Sequence, residues 1–371
     1  TRVAIGPGAR CGGTPGVSPR HRYNGPMETL ILPPDYAPLL DPRHTERAIL
    51  KLKDAFQTNL AFELNLTRVT APLFVRAGTG INDDLNGVER PVQFEVGGME
   101  NEEVQVVQSL AKWKRLALAD LGFRPGEGLY TDMNAIRPDD PVDSTHSIYV
   151  DQWDWELALA PEDRSIDFLK STVRTIYDVI RRTERFIAHE YDEIEPYLPD
   201  TIAFVHAEDL RRAHPSRDPK EREYEACREY GAVFVIGIGG ELGDGSVHDG
   251  RAPDYDDWST PSGEGQIGLN GDILVYNRVL DAPFELSSMG IRVDPPALEH
   301  QLEIRGATDR RELYFHRRLL SGELPLSIGG GIGQSRLAMQ LLQKAHIGEI
   351  QASVWPDEMV ETCRAAGIPL L

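Results

Sequence analysis

The chain has 371 residues, of which 40% are hydrophobic and 26% charged, enough for a globular protein with a sizeable core. No apolar run approaches the roughly 20 residues that a membrane span needs, which argues against a membrane protein. The 39 basic and 59 acidic residues give a net charge of −20 without a basic block, which disfavours a nucleic-acid partner.

Residues 1–26 differ in composition from the rest of the chain, with four Arg, no Asp or Glu, and many Gly and Pro. We predict that this extension is disordered and that 27–371 form a single domain, with a helical insertion near 160–230. The extension could be an organellar transit peptide, or sequence added or translated upstream of a start at Met27. Its Gly and Pro content favours the second interpretation.

Hydrophobic periodicity and turn residues predict, in chain order, a helix at 42–64 capped by Asp41, a strand at 66–75 interrupted by Pro72, a helix at 104–120, strands at 128–137 and 146–157, a long helix at 163–194, strands at 233–236, 273–276 and 284–288, and a glycine-rich turn opening a helix at 334–344. The strands come mostly in adjacent pairs. This predicts an α+β fold with a mainly antiparallel sheet of six to eight strands, flanked by helices.

The strand at 146–157 carries an unusual row of polar side chains. Its alternation places Gln152, Asp154 and Glu156 on one face, opposite a face that is largely indole. Such a row suits a site that holds an amine, a carboxylate and a metal-bound phosphate. On this segment alone, the solvated face of an edge strand is an equally good interpretation.

Three other segments could bind anions or metal. The glycines at 329–333 permit close approach of backbone to a ligand, and Arg336 in the following helix turn implies an anionic or aromatic partner. Glu285 and Ser288 offer oxygen ligands for Mg²⁺. Arg292 offers a fork for a carboxylate, and Arg137 could reach a phosphate. In isolation, 284–294 is better interpreted as a surface hairpin with an ordinary ion pair.

Several common site types are absent from the sequence. The glycines at 237–243 miss the dinucleotide-binding spacing, and no Gly-Lys dipeptide of a P-loop occurs. The three cysteines, at 11, 227 and 363, are isolated, so they predict neither disulfides nor a zinc site and fit a reducing, cytoplasmic location.

Together, these segments resemble the catalytic core of the class II aminoacyl-tRNA synthetases of the aspartyl/asparaginyl branch. Pro72 with its apolar run resembles motif 1, Arg137 with the Gln152 strand resembles motif 2, and 329–336 resembles motif 3. From about 60 to 357 the chain is still more similar to the ammonia-dependent asparagine synthetases, or aspartate–ammonia ligases. The matching runs are 109–115, 126–130, 149–156, 252–261, 269–275, 284–294 and 328–337.

This resemblance implies ATP-dependent ligation of ammonia to the β-carboxylate of aspartate through β-aspartyl-AMP, giving asparagine, AMP and pyrophosphate, with Mg²⁺ as cofactor. Motif 1 implies a homodimer. About 45 residues separate Met27 from Pro72, too few for an anticodon-binding barrel, so a tRNA synthetase is not expected. A glutamine-dependent enzyme would need an N-terminal cysteine nucleophile, which leaves free ammonia as the nitrogen donor.

The resemblance also implies a role for each site residue. Arg137 would bind the α-phosphate, and Arg336 with Gly331 and Gly333 would bind the rest of ATP. Asp272, Glu285 and Ser288 would hold the metal, with Asp272 also contacting ATP. Lys114 and Arg292 would bind the α-carboxylate and Asp154 the α-amino group, with Ser109 and Ser288 also in contact with substrate. Gln152 would orient the reacting carboxylate.

Asp83 matches the aspartate that binds ammonium and then accepts its proton. The loop at 78–87 departs from the family pattern, so Asp84 remains an alternative. Two other functions stay open. A paralogue with another amino-acid substrate should lose Lys114, Asp154 or Arg292, and a non-catalytic regulatory relative should lose Arg137 or Arg336, yet all five are present.

Overall fold

The computed structural model describes residues 30–83, 85, 89–263 and 265–371, and the predicted extension at 1–26 lies outside them. The described helices are α1 (Pro42–Glu63), α2 (Ala111–Asp120), α3 (Ile166–Glu190), α4 (Ala207–Ala213), α5 (Pro219–Tyr230), α6 (Pro295–Ile304), α7 (Tyr314–Leu320), α8 (Gln334–Leu341) and α9 (Asp357–Ala365). The described strands are β1 (Leu66–Arg68), β2 (Phe74–Arg76), β3 (Gln93–Val96), β4 (Glu102–Val106), β5 (Gly128–Ile136), β6 (Tyr149–Ala158), β7 (Ala203–His206), β8 (Ala232–Ile236), β9 (Pro261–Gly263), β10 (Gln266–Ile267), β11 (Asn270–Asn277), β12 (Ala282–Ile291) and β13 (Ser327–Gly333).

Eight of these strands form the large sheet, in the order β1-β5-β6-β13-β12-β11-β8-β7. The five inner pairs are antiparallel, whereas β1 pairs with β5 and β7 pairs with β8 in parallel. Parallel neighbours need crossover connections, and α4 and α5 provide the one between β7 and β8. The predicted α+β fold with a mainly antiparallel sheet is confirmed, and the two outermost strand pairs make the sheet mixed.

The predicted helix at 104–120 is wrong over its first half. Residues 102–106 form β4 of a separate three-stranded sheet, in the order β2-β4-β3. Val104 and Val106 are buried on either side of a less buried Gln105, which is the period-two pattern of a strand. The helix begins only at Ala111, whose amide donates to the hydroxyl oxygen of Ser109 (3.1 Å).

The two faces of β6 separate the core from the site. Trp153 and Trp155 are completely buried on one face, where Phe56 of α1 contacts the Trp153 ring at 4.6 Å between centroids. Asp41 caps α1 as predicted, accepting from the amide of His44 (2.8 Å). Because β6 is the third strand of the sheet, its polar face is not the solvated face of an edge strand. Within the described ranges, no helix is long and apolar enough to cross a membrane.

Candidate active site

A cavity of about 370 Å³ lies over the polar face of β6, beside β13 and β12. Twelve of the thirteen residues predicted for the site line it: Asp83, Ser109, Lys114, Arg137, Gln152, Asp154, Glu285, Ser288, Arg292, Gly331, Gly333 and Arg336. The thirteenth, Asp272, lies behind Arg251, which itself lines the cavity. The fold therefore gathers residues from most of the chain at one place.

Asp154 and Lys114 form a buried ion pair in this cavity. Lys114 Nζ donates to Asp154 Oδ1 and to the carbonyl oxygen of Gly330 (2.9 Å). Burial lowers the pKa of Lys114, and the negative charge of Asp154 opposes this shift. Asp154 Oδ2 is buried and has no hydrogen-bond partner among the described residues. A buried carboxylate oxygen without a partner is unfavourable, so it favours binding of a cationic group.

Arg292 is held between two buried carboxylates. Its Nε and Nη2 donate to Glu156 at distances of 2.9–3.2 Å, and its Nη1 donates to Asp256. An arginine has five N–H donors, so these contacts leave one N–H on each terminal nitrogen. Burial opposes ionisation of Glu156, but the charges of Arg292 and Lys114 hold its pKa below the ordinary value. Arg292 thus retains a two-pronged donor for a ligand carboxylate.

The glycines of β13 make room for side chains of β6. A Cβ atom on Gly329 would lie 1.9 Å from Glu156 Oε2, and one on Gly331 would lie 2.1 Å from Gln152 Oε1. The sequence predicted a glycine-rich turn here, which is wrong because 327–333 pair with β6 and 328–332 pair with β12 as well. The glycines let Glu156 and Gln152 lie across the bare backbone of this strand.

Helix α8 follows β13 directly and presents Arg336 in its first turn. Asp151 accepts hydrogen bonds from the amide (3.0 Å) and hydroxyl (2.8 Å) of Ser335, which stabilises the helix start by placing negative charge there. Arg336 Nη1 donates to the Glu285 carbonyl oxygen (3.3 Å), and its guanidinium lies 5.9 Å from the Phe284 ring centroid. The arginine therefore lies over β12, at the wall of the cavity.

The backbone of Gln108 positions Arg137. Arg137 Nε and Nη2 both donate to the Gln108 carbonyl oxygen, at 3.0 and 2.9 Å. In the part of the chain that the structure describes, Arg137 forms no ion pair with a carboxylate. Its charge is thus available to an anion in the cavity, with the side chain already oriented.

Asp272, Glu285 and Ser288 were predicted to hold a metal ion. Burial and the negative charge of Glu285 raise the pKa of Asp272 to about 6, although Arg251 opposes the shift. Arg251 Nη2 lies 2.6 and 2.5 Å from the two oxygens of Asp272 and 3.3 Å from Ser288 Oγ. The carboxylates of Asp272 and Glu285 repel each other, which favours a cation beside them. In this structure that cation is the guanidinium of Arg251.

This donor set fits a magnesium ion that arrives with phosphates. Mg²⁺ is usually held by one or two carboxylates, with water and phosphate oxygens completing the octahedron. Over the described ranges, no group of three or more His, Cys, Asp or Glu side chains is placed to hold a metal. The residues therefore fit a substrate-borne ion and not a closed structural metal site.

Asp83 lies at the cavity wall and is only 3% exposed. Its Oδ1 accepts from the amide of Leu85 (3.1 Å). Burial raises the pKa of Tyr255, a cavity residue, and the negative charge of Asp83 raises it further, which places the two groups close together. Asp84, the predicted alternative, lies outside the described residues.

Comparison with known proteins agrees with this geometry. The family model of aspartate-ammonia ligase matches residues 43–367. The chain belongs to the aspartate–ammonia ligase family. A relative named aspartate–ammonia ligase from Parabacteroides distasonis is 58% identical over 345 residues, which cover 93% of this chain and 100% of the relative. A relative of the same name from Clostridium perfringens is 54% identical with the same coverage.

Solved structures show the predicted fold. The asparaginyl-tRNA synthetase of Pyrococcus horikoshii, complexed with asparaginyl-adenylate, matches with a TM-score of 0.63 and 16% identity, covering 84% of this chain and 70% of that one. At this identity the similarity shows the fold alone. Both halves of the resemblance, to the aspartate–ammonia ligases in sequence and to a class II synthetase core in fold, are thus confirmed.

Sequence reasoning did not identify two residues that form ion pairs with predicted site residues. Asp256 pairs with Arg292, and Arg251 pairs with Asp272. Both lie in or next to the matching run 252–261, where an acidic stretch precedes Trp258. The acidic stretch suggests a solvated loop, yet Asp254, Asp256 and Asp257 are all at most 1% exposed. The sequence signal for the burial of these acids was Trp258, an aromatic residue directly after them.

Proposed function

We propose that this chain joins ammonia to the β-carboxylate of L-aspartate at the expense of ATP, forming asparagine, AMP and pyrophosphate through β-aspartyl-adenylate. The observation that carries this proposal is the arrangement around Asp154. One of its oxygens binds Lys114 and the other has no partner among the described residues, in a cavity that Arg292 also lines. The negative charge of Asp154 and the positive charge of Arg292 in one cavity match the ammonium and carboxylate groups of an α-amino acid.

Within this proposal, each charged group of aspartate has a partner. The α-ammonium binds Asp154 Oδ2, which removes the cost of a buried, unsatisfied oxygen. The α-carboxylate binds the two remaining N–H groups of Arg292, with Lys114 adding a positive charge. Gln152, which lies against the glycine strand, orients the β-carboxylate for attack. Ser109 and Ser288 line the same cavity and supply hydroxyls to the substrates.

ATP binds the cationic side of the cavity. Arg137 is fixed by the Gln108 carbonyl and stabilises the α-phosphate as the β-carboxylate attacks it. Preorganised donors of this kind contribute about 3–4 kcal/mol to lowering a barrier. Arg336 holds the adenine and distal phosphates, beside the open backbone of Gly331 and Gly333.

Asp272, Glu285 and Ser288 would hold Mg²⁺ that arrives with ATP. When bound, the ion would neutralise phosphate charge and orient the departing pyrophosphate. Arg251 must release Asp272 before a metal ion can bind there, since it now contacts both oxygens of that carboxylate.

Asp83 acts in the second half of the reaction. Ammonia attacks the carbonyl carbon of the β-aspartyl-adenylate, the new C–N bond forms, and the bond from that carbon to the phosphate oxygen breaks to release AMP. The nitrogen loses a proton to the Asp83 carboxylate, which acts as general base. The location of Asp83 at the cavity wall supports this role.

The test is product analysis by NMR after mixing the protein with aspartate, ATP, magnesium and ammonium chloride. Asparagine and AMP in equal amounts are expected. ADP in place of AMP would overturn the adenylate route, and AMP without asparagine would indicate another acceptor. The Asp83→Ala variant should lose asparagine formation and retain part of the aspartate-dependent ATP–pyrophosphate exchange. Equal loss of both activities would remove Asp83 from the ammonia step.

We also propose a homodimer, supported by the position of Phe74 and Phe94. Both are exposed (48% and 44%) and in contact on the three-stranded sheet just after Pro72. The cytoplasmic location stays a prediction.

A further inference from the structure

A second cavity, of about 220 Å³, adjoins the first, and Asp83 lines both. Its walls include the loop around Gly80, the side chains of Gln108 and Lys112, and the start of α7 near Leu313. Asp83 and Gln108 thus lie between two separate spaces. The carbonyl of Gln108 serves the first cavity by holding Arg137, while its side chain lines the second.

Several polar atoms at the second cavity are buried without partners. Both amide atoms of Gln108, Asp254 Oδ1 and His316 Nδ1 make no hydrogen bond with any described residue. All three side chains are completely buried. Asp254 Oδ2, in contrast, binds Lys112 (3.1 Å), Arg310 (3.1 Å) and His316 Nε2 (3.0 Å). Buried polar atoms without partners are costly, so this group of atoms points to a small polar ligand.

The chemistry of these atoms restricts the ligand. His316 Nε2 donates to the Asp254 carboxylate (3.0 Å). Two acceptors are unpartnered, namely Gln108 Oε1 and Asp254 Oδ1, together with the donor group Gln108 Nε2. A ligand rich in N–H groups satisfies such a set. An anion does not, because Lys112 and Arg310 are already bound to Asp254 and Arg76 is bound to Glu102.

The charge of the lining favours an uncharged form of that ligand. Lys112 and Arg310 both pair with Asp254, and Arg76 pairs with Glu102, so each of these three cations already has a carboxylate partner. Burial opposes ionisation of Asp254, but Lys112 and His316 outweigh it and hold its pKa far below the ordinary range. Because Lys112 and Arg310 already offset the charge of Asp254, a cation gains little there, whereas neutral ammonia needs no charged partner.

We infer that the second cavity is the entry chamber through which ammonia reaches Asp83 and the adenylate. The inference rests on the proposed function and extends it to a separate ammonia route. The first cavity, of about 370 Å³, has a size that encloses most of the surface of one drug-sized ligand. Aspartate and ATP bound together therefore close it. Ammonium at the chamber mouth releases its proton to solvent. The neutral ammonia then passes Asp83, to which it gives a second proton once the C–N bond forms.

Leu313 offers the test of this route, because it lines the second cavity but not the first. Leu313→Phe should narrow the chamber and raise the KM for ammonia about tenfold, while aspartate-dependent ATP–pyrophosphate exchange stays within twofold. Leu320→Phe, the same substitution at a partly buried leucine at the far end of α7 and outside the chamber, is the matched control. A second variant, Gln108→Met, should raise the KM for ammonia by several times more than it changes the KM for ATP.

Thermal unfolding and pyrophosphate exchange establish that each variant is folded and competent. The chamber proposal would be overturned by an unchanged KM for ammonia, that is, by values for Leu313→Phe and Gln108→Met that both equal the value for Leu320→Phe. Parallel loss of exchange and ammonia use would also overturn it, because the route would not be separate. Failure of the unaltered protein to form asparagine would instead overturn the proposed function, and this inference with it.

Discussion

Replacing Arg292 with lysine tests the amino-acid site most directly. The lysine keeps the positive charge but has three N–H donors instead of five. Glu156 and Asp256 already take three donors of the arginine. A lysine that satisfies both carboxylates has at most one donor left for the α-carboxylate of aspartate, where the arginine has two.

The expected loss is at least one charge-assisted hydrogen bond, which contributes about 1.5–3 kcal/mol. At about 1.4 kcal/mol for each factor of ten, kcat/KM for aspartate should fall about 10- to 150-fold. The KM for ATP should change much less, because the nucleotide contacts lie on Arg137 and Arg336.

Aspartate-dependent ATP–pyrophosphate exchange measures this effect without ammonia. Arg115→Lys provides a matched control, since Arg115 is equally buried but donates to the carbonyl oxygens of Pro325 (3.0 Å) and Val293 (2.6 Å) and does not line the cavity. An unchanged KM for aspartate in folded Arg292→Lys would refute the reasoning, as would an equal rise in the control.

Three further predictions concern catalysis, pH and assembly. Gly331→Ala places a methyl group 2.1 Å from Gln152 Oε1 and so displaces the Gln152 side chain. The kcat for exchange should fall about 100-fold, since a displacement near 1 Å has that effect. An unchanged kcat contradicts the role of Gln152. Burial lowers the pKa of His346 to about 4, so the stability that this neutral histidine contributes is present above pH 6.5 and is lost as the pH falls toward 4. Urea unfolding at pH 7 and pH 5 should show the unaltered protein losing about 2 kcal/mol more than His346→Asn, and equal losses would count against this. Sedimentation at micromolar concentration should show a dimer that Phe74→Asp dissociates, and a monomeric unaltered protein would remove the dimer proposal.

The sequence predicted those parts of the molecule that depend on local patterns. The alternation of β6 correctly separated Trp153 and Trp155 from the polar row, and the cap at Asp41 correctly placed the start of α1. Motif spacing identified twelve residues that line one cavity, because it records the resemblance to a family whose fold brings those motifs together.

What the sequence could not predict depends on tertiary contacts. The segment 104–110 contains apolar residues compatible with a helix, and only pairing with β2 and β3 makes residues 102–106 a strand. The partners of Arg292 and Asp272 come from the acidic run near Trp258, whose burial no local pattern reveals. The glycines of β13 suggest a turn until the side chains of Glu156 and Gln152 are seen to lie over them.

The last strand of the large sheet to be synthesised, β13, occupies its middle. Before this strand emerges from the ribosome, the other strands form two groups that share no strand pairing, β1-β5-β6 and β12-β11-β8-β7. Glu156 and Arg292, which bind each other across the glycines, then belong to separate parts of the nascent chain. A truncated product ending before residue 327 therefore contains residues of both halves of the site without the strand that joins them, and catalytic competence arises only when translation is nearly finished.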